Sequence, residues 1–263
     1  MASMRDIKRR KDSIQSTGQI TKAMKLVSTV KLQKAKGRAE NTKPYFDLMY
    51  ETVQSILAKS GHINHKYLKE SESDKKAVIV VTANRGLAGG YNSNITRMII
   101  DEGFTKENTV VYAVGKKGRE LLERKGYEIK ADYSEAINDP IYKDAKEICD
   151  DVLSAFADGE VGEIYLAYTV FKNTVVHEPQ LIRLLPVEAD DAAHETDGSE
   201  ALMTYEPSEE EALDMIIPKY VCSLVYGALI ESVASENGAR MQAMDSATSN
   251  AEDMISDLTL KYN

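Results

Sequence analysis

The chain has 263 residues, of which 43% are hydrophobic and 29% charged, with 15 Gly and 6 Pro. That balance belongs to a folded globular protein and excludes disordered, collagen-like and metal-stapled classes. Two cysteines, Cys149 and Cys222, stand 73 residues apart without a CxxC or His spacing, so neither a disulfide framework nor a zinc site is expected.

The net charge of −9 hides an asymmetry: residues 1–38 hold eleven basic and two acidic side chains, or +9, leaving −18 on the rest. A basic start on an acidic body points to a partner with negative charge near the N-terminus. The Arg-rich, Ser-containing start is not read as a targeting peptide, because Asp6 and Asp12 interrupt it and helical periodicity continues past residue 50 without a small-residue cleavage region.

Residues 3–58 predict one long helix, opened by Ser3 with Asp6 three positions on. Apolar residues recur at Ile7, Ile14, Ile20, Met24 and Val27, then at Phe46, Met49, Val53 and Ile56. Pro44 is expected to bend or shorten this helix. Gly18 and Gly37 weaken it, and the close approach of a second helix is one reason for both. Residues 59–75 are polar and patternless, as in a linker, and His62 and His65 lack further ligands for a metal.

Residues 76–186 alternate strand-like and helix-like patterns. Strands are expected at 77–81, 109–115, 127–132, 162–172 and 175–186, and helices near 91–103, 116–125 and 140–158. Such alternation predicts an α/β domain with a mostly parallel, Rossmann-like sheet whose last two strands form a hairpin. Residues 187–206 read as an acidic loop. A capping box at Ser208–Glu211, after Pro207, then starts a helix over 207–263, about 80 Å long at 1.5 Å per residue. Its seam, Ala234, Asn237, Met241, Met244, Thr248, Ala251, Ile255, Leu258 and Tyr262, keeps a 3.5-residue period and predicts a left-handed coiled coil. The terminal helices 1–58 and 207–263 are therefore expected to pair antiparallel beside the central domain 76–186. No uninterrupted run of 18 apolar residues occurs, so no membrane-spanning helix is expected.

One local motif invites a chemical reading. Asn84-Arg85-Gly86-Leu87-Ala88-Gly89-Gly90-Tyr91-Asn92 lies between a strand and a helix, where backbone amides can cradle phosphate, yet it matches neither GxGxxG nor the P-loop. It serves either as an anion cradle or as a tight structural turn. GxSxG, HExxH and Cys–His constellations are missing, and no catalytic residue, cofactor or metal is expected.

Three runs, Gln19–Ser28, Arg85–Asn94 and Ala239–Ala251, lie in all three blocks of the chain and closely resemble the gamma-subunit family of F-type ATP synthases. The resemblance implies a non-catalytic rotor shaft whose terminal helices form the coiled coil. Its implied partners are the alpha and beta subunits around the shaft, with the epsilon subunit and the c-ring below. It puts Met24, Lys25 and Arg240 near the sliding contact with alpha and beta, and Tyr205 and Glu206 toward epsilon and the ring. Exposed ion pairs from the +9 segment, rather than apolar burial, are expected to make that contact. The family's usual Ser-Asp before the loop is Ala83-Asn84 here, and its pattern runs on beyond Asn263 into an Arg- and Gln-containing tip. A bacterial enzyme is implied, peripheral on the cytoplasmic face of the plasma membrane, with no nucleic-acid partner. Two rival readings stay testable: a nucleotide-binding protein using the Gly86–Gly90 loop, and a nucleic-acid-binding coiled coil using the basic arm.

Overall fold

The computed structural model describes residues 4–59, 65–69, 73–187 and 208–262. Helix α1 (Met4–Lys59) and helix α5 (Glu209–Tyr262) frame a central domain. That domain comprises β1 (Lys76–Val81), α2 (Tyr91–Asp101), β2 (Thr109–Val114), α3 (Lys116–Arg124), β3 (Glu128–Asp132), a single 3-10 turn (Ala136–Asn138), α4 (Tyr142–Ala157), β4 (Glu163–Phe171) and β5 (His177–Leu185).

The sheet order is β3-β2-β1-β4-β5, parallel except for the antiparallel β4–β5 hairpin. The inner strands β1 (KAVIVV) and β2 (TVVYAV) are rich in β-branched residues and buried on both faces. One face carries Val78, Val80, Val111 and Ala113 against Ile95 and Ile99 of α2 and Leu122 of α3. The other carries Ile79, Val81, Tyr112, Val114, Ile164 and Leu166 against α4, α5 and the end of α1 at Val53, Ile56 and Leu57. The domain core and the foot of the helix pair are thus one continuous core.

Along α1 the inward positions step by four and three without a break: Ile7, Lys11, Ile14, Gly18, Thr21, Lys25, Ser28, Leu32, Ala35, Ala39, Thr42, Phe46, Met49, Val53 and Ile56 are all buried or half-buried. Eight of these fifteen residues are small or polar, so apolar spacing marks the seam only toward its ends, at Ile7, Ile14, Phe46, Met49, Val53 and Ile56. Ile20 and Val27, expected to face the partner helix, are instead 58% exposed each, together with Leu26 at 63% and Val30 at 69%.

The antiparallel register shows in cross-contacts whose partner numbers fall along α5 as they rise along α1. A Cβ on Gly18 would lie 3.3 Å from Ala251 Cβ. The Thr21 and Thr248 hydroxyls hydrogen-bond at 2.8 Å, and the Phe46 ring meets Gly227 and stacks edge-on with Tyr226. Gly18 therefore serves close approach of the helices, whereas Gly37 has no neighbour within 4 Å of its would-be Cβ.

Pro44 does not end α1, and α5 runs through Pro218 as well. Each proline costs about 3 kcal/mol in a helix interior, and the packing of Phe46, Met49 and Val53 beyond Pro44 and of Ile217, Tyr220 and Val221 around Pro218 offsets it. The Ser208 hydroxyl accepts from Glu211 N–H at 3.2 Å, as the capping box predicts. On the seam of α5, Ala234, Asn237, Met244 and Ala251 are buried, but Tyr262 is 40% exposed because it lies at the free end of the pair.

One further expectation is corrected. The described residues 65–69 of the linker pack: His65 is 2% and Tyr67 7% exposed, His65 Nε2 lies 3.2 Å from Asp214 Oδ1, and Val187 N–H donates to Tyr67 O. Helix α5 also contains a stretch long and apolar enough by composition to cross a membrane, of which 56% is buried inside the protein. Its apolarity is that of a core helix.

Candidate functional site

In open α/β sheets, ligands bind outside the carboxyl ends of the strands where the strand order reverses. Here that point lies between β1 and β4, and the Gly-rich loop 84–90 leaves β1 beside it. The crevice is filled by the chain's own atoms. Strand β4 outruns β1 by three residues, since Val80 pairs with Ala167, β1 ends at Val81, and Tyr168–Phe171 pair with β5 alone. The hairpin extension lies on α5: Ser235 Oγ donates to Thr169 O at 3.1 Å, and Thr169 N–H donates to Ser232 Oγ at 3.5 Å. From the loop side, Tyr91 Oη donates to Ser232 O at 3.1 Å, and burial pushes this phenol far above its ordinary range.

Residues flanking the loop are likewise engaged. Ala83 N–H donates to Asn92 Oδ1 at 2.8 Å, and Lys116 N–H donates to Asn84 Oδ1 at 2.9 Å. Asn84 Nδ2 donates to Ser134 O and Asn138 Oδ1. At the start of α3, Gly118 N–H donates to Thr82 Oγ1 at 2.9 Å and that hydroxyl donates to Gly115 O at 3.2 Å. The first turn of α3, beside the loop, is thus closed by a threonine. Of the two readings of the loop, the structural turn is the one its hydrogen bonds support.

Arg240 of α5 completes the closure. Its guanidinium donates to Gly86 O at 3.3 Å and Arg85 O at 3.5 Å, and Nη1 lies 2.7 Å from Glu236 Oε1. The side chains of the pair are 11% and 14% exposed. Arg240 therefore faces inward. Met24 is half-buried and lines a groove of ≈ 670 Å³ with Ile20, Val27, Arg85, Leu87 and Asn237. Lys25 crosses the helix pair to Asp245 at 2.6 Å, with both ends substantially exposed. Tyr205 and Glu206 lie outside the described residues. Part of the basic segment is neutralised within the chain, since Lys34 and Arg38 both reach Asp139.

The Lys25–Asp245 pair is screened by solvent and worth roughly 0.2–1 kcal/mol. Lys25→Ala is expected to leave the urea unfolding midpoint almost unchanged, and a loss several times larger would show the pair to be structural.

On the opposite side of α5, a second groove of ≈ 520 Å³ contains His177 beside Gly89, Tyr91, Asp245 and Ser246. A Cβ on Gly238 would lie 2.5 Å from His177 Cε1, and the ring lies 5.9 Å from Phe171. Both ring nitrogens are buried without a hydrogen-bond partner, and burial lowers the imidazole pKa below its usual 6.5. A depressed histidine pKa favours the neutral folded form, so its contribution to stability is full above the unfolded pKa and falls as pH drops through 6.5 toward the folded value. Melting temperatures between about pH 5 and 8 should decline on acidification less steeply for His177→Phe than for the parent, and parallel curves would contradict this.

Comparison with known proteins shows the family of the chain. The family described as ATP synthase matches residues 3–263. The ATP synthase gamma chain of Lachnoclostridium phytofermentans is 68% identical, covering 100% of this chain and 92% of that protein. The sodium-ion-specific gamma chain of Acetobacterium woodii is 41% identical, covering 99% of this chain and 92% of that protein. Among solved structures, the central stalk and c-ring of the Tetrahymena thermophila mitochondrial ATP synthase include a chain 26% identical with TM-score 0.65, covering 87% of this chain and 99% of that one.

Proposed function

Since the chain belongs to the gamma-chain family of ATP synthase, and is a non-catalytic central-stalk rotor subunit of the F-type enzyme, we propose how its surfaces divide the work of the shaft. The helix pair stands inside the ring of alpha and beta subunits, and the central domain faces the epsilon subunit and the c-ring. Ion flow turns the ring and this chain with it. The shaft has no rotational symmetry, so each catalytic beta subunit meets a different profile in turn and is driven through open, loose and tight states. The complex is membrane-associated, and we place this chain at its cytoplasmic, peripheral side in a bacterial plasma membrane.

The observation that carries this reading is the outer face of α1 between residues 20 and 30. Ile20, Leu26, Val27 and Val30 are all more than half exposed, interleaved with Lys22 and Lys31. Four large aliphatic side chains on so short a stretch mark a surface that a partner covers. Apolar contact is non-directional, so it holds the shaft centred without a deep minimum at any one angle. Directional ion pairs alone would not do so. In this reading Met24 and Lys25 belong to the belt nearest alpha and beta, and Arg240 serves it by holding the Gly86 loop. Tyr205 and Glu206 belong to the side turned toward epsilon and the ring.

Reconstitution with alpha and beta subunits, with a bead on the central domain, tests the proposal. Three equal steps per turn, driven by ATP hydrolysis, are the expected result. Ile20→Asp/Val27→Asp should weaken assembly without unfolding the chain, because both residues already face solvent. An unaltered complex with this double variant would remove the belt from the sliding contact.

A further inference from the structure

We propose that the groove between α1, α5 and the Gly86 loop binds a small amphipathic anion: a flat apolar body that carries one acidic group and one N–H or O–H donor. Its volume, ≈ 670 Å³, falls in the range of small-molecule sites, which are apolar clefts with a few placed polar groups. The apolar lining comes from several elements: Met24 and Val27 of α1, Leu87 of the loop, Ile137 of the 3-10 turn, and Ile230 and Val233 of α5. Val27 and Leu87 are 58% and 63% exposed, so this surface is open to a ligand.

Two kinds of polar group specify what the occupant carries. Asn237 stands in the wall of the groove, 3% exposed, at a seam position of α5 where an apolar side chain would pack. Its Nδ2 donates to Val233 O of the same helix at 2.7 Å, and its Oδ1 is buried without a partner. A buried amide in a helix pair commonly fixes the register by bonding across it. Among the described residues, neither atom of this amide bonds to α1. A buried acceptor without a donor is unfavourable, and a donor on a ligand removes that penalty.

Charge sets the second requirement. Five cationic side chains and two carboxylates line the groove, and both carboxylates are engaged: Asp139 by Lys34 and Arg38, Glu236 by Arg240. Lys31 of α1 and Arg85 of the loop are exposed and have no carboxylate partner among the described residues. They provide for an acidic group at the solvent side while the body lies on the apolar lining. The anion is met by side chains, which leaves the loop a structural turn. The walls are also set in advance. Arg240 holds the Gly86 and Arg85 carbonyls, and Asn84 Nδ2 bonds to Asn138 Oδ1 at 3.0 Å. Preorganised walls lose little freedom on binding. Ile20 and Val27 line the groove and also belong to the exposed belt. Occupancy and assembly with alpha and beta should therefore compete; that consequence rests on the belt reading, and the site itself does not.

The test titrates the full chain with 6-(p-toluidino)naphthalene-2-sulfonate, a probe that brightens in apolar surroundings and carries one sulfonate and one N–H. The expected result is one saturable site per chain with Kd on the order of 10 µM, as ligand efficiency sets for about 22 heavy atoms. Asn237→Leu should weaken binding about fivefold, the scale of one neutral hydrogen bond. Lys31→Gln/Arg85→Gln should weaken it about tenfold and flatten its salt dependence. Ala23→Trp, at an exposed position on the groove wall, should fill the groove and abolish binding while dichroism shows the parent's helix content. Added alpha and beta subunits should displace the probe. A complex that forms with the probe still bound would count against the belt at Ile20 and Val27 and in favour of a separate site. Binding that survives both Ala23→Trp and Asn237→Leu would overturn the proposal, as would binding lost only in Leu26→Asp/Val30→Asp, which lie outside the groove lining.

Discussion

Gly115→Ala should leave the chain without a folded central domain. Gly115 joins β2 to α3 with φ +116, a conformation that favours glycine. A Cβ there would lie 2.6 Å from the Thr82 carbonyl carbon, and closer still to its oxygen. The obstacle is backbone, so no side-chain rotation relieves it. Moving the backbone apart would break Thr82 N–H to Val114 O at 2.8 Å, Lys117 N–H to Ala83 O at 3.0 Å and the threonine cap on α3. These bonds hold the ends of the two innermost strands together. The expected loss exceeds about 4 kcal/mol, a size reserved for backbone strain and core disruption. Far-ultraviolet dichroism with urea titration checks it: a midpoint within about 1 kcal/mol of the parent would show that the turn can relax.

Arg240→Ala should cost about 3 kcal/mol, the scale of breaking a buried ion pair. The substitution strands the Glu236 carboxylate, only 14% exposed, and removes donors to the Gly86 and Arg85 carbonyls. Arg240→Lys should fall between, keeping the charge but losing the fork that reaches carboxylate and carbonyls together. The discriminating variant is Glu236→Gln/Arg240→Met. If the penalty comes from an uncompensated buried charge, the double variant recovers much of the loss in a double-mutant cycle. If it loses as much as Arg240→Ala, the role of Arg240 is to bind the loop. In a reconstituted motor the single variant should also lower the hydrolysis rate, because the groove beside Met24 is lined by this arginine and this loop.

The sheet was legible in the chain because its inner strands are short runs of Val, Ile and Ala between turn residues, and every strand appears within two residues of its expected span. The terminal seam of α5 was legible for the same reason, since Met241, Met244, Ile255 and Leu258 carry the period. The matching seam of α1 was legible only toward its ends, at Ile7, Ile14, Phe46, Met49, Val53 and Ile56. Gly18, Thr21, Lys25, Ser28, Ala35 and Ala39 lie inward because two helices approach closely there, whereas Ile20, Leu26, Val27 and Val30 lie outward. Hydrophobicity marks what is buried in the whole assembly, and a single chain shows only its own share. The closure of the crevice was equally hidden: Thr82, Asn84, Asn92 and Ser232 are ordinary residues whose roles depend on which distant backbone groups they meet.

The antiparallel pairing of α1 with α5 also sets an order of events during synthesis. Helix α1 leaves the ribosome about 150 residues before any of its partner exists, carrying a seam too poor in large apolar groups to stabilise a lone helix. The central domain is the first unit whose contacts are complete, apart from those with α5. Once it has formed, Val53, Ile56 and Leu57 are held beside the place where Leu213, Ile217 and Val221 will arrive. Pairing from that foot outward joins residues already brought near, so each added heptad closes a short loop in place of one spanning most of the chain. The rod should therefore zip from the domain toward its two termini. Partners that cover the outer face of residues 20–30 would meet a finished surface only at the end.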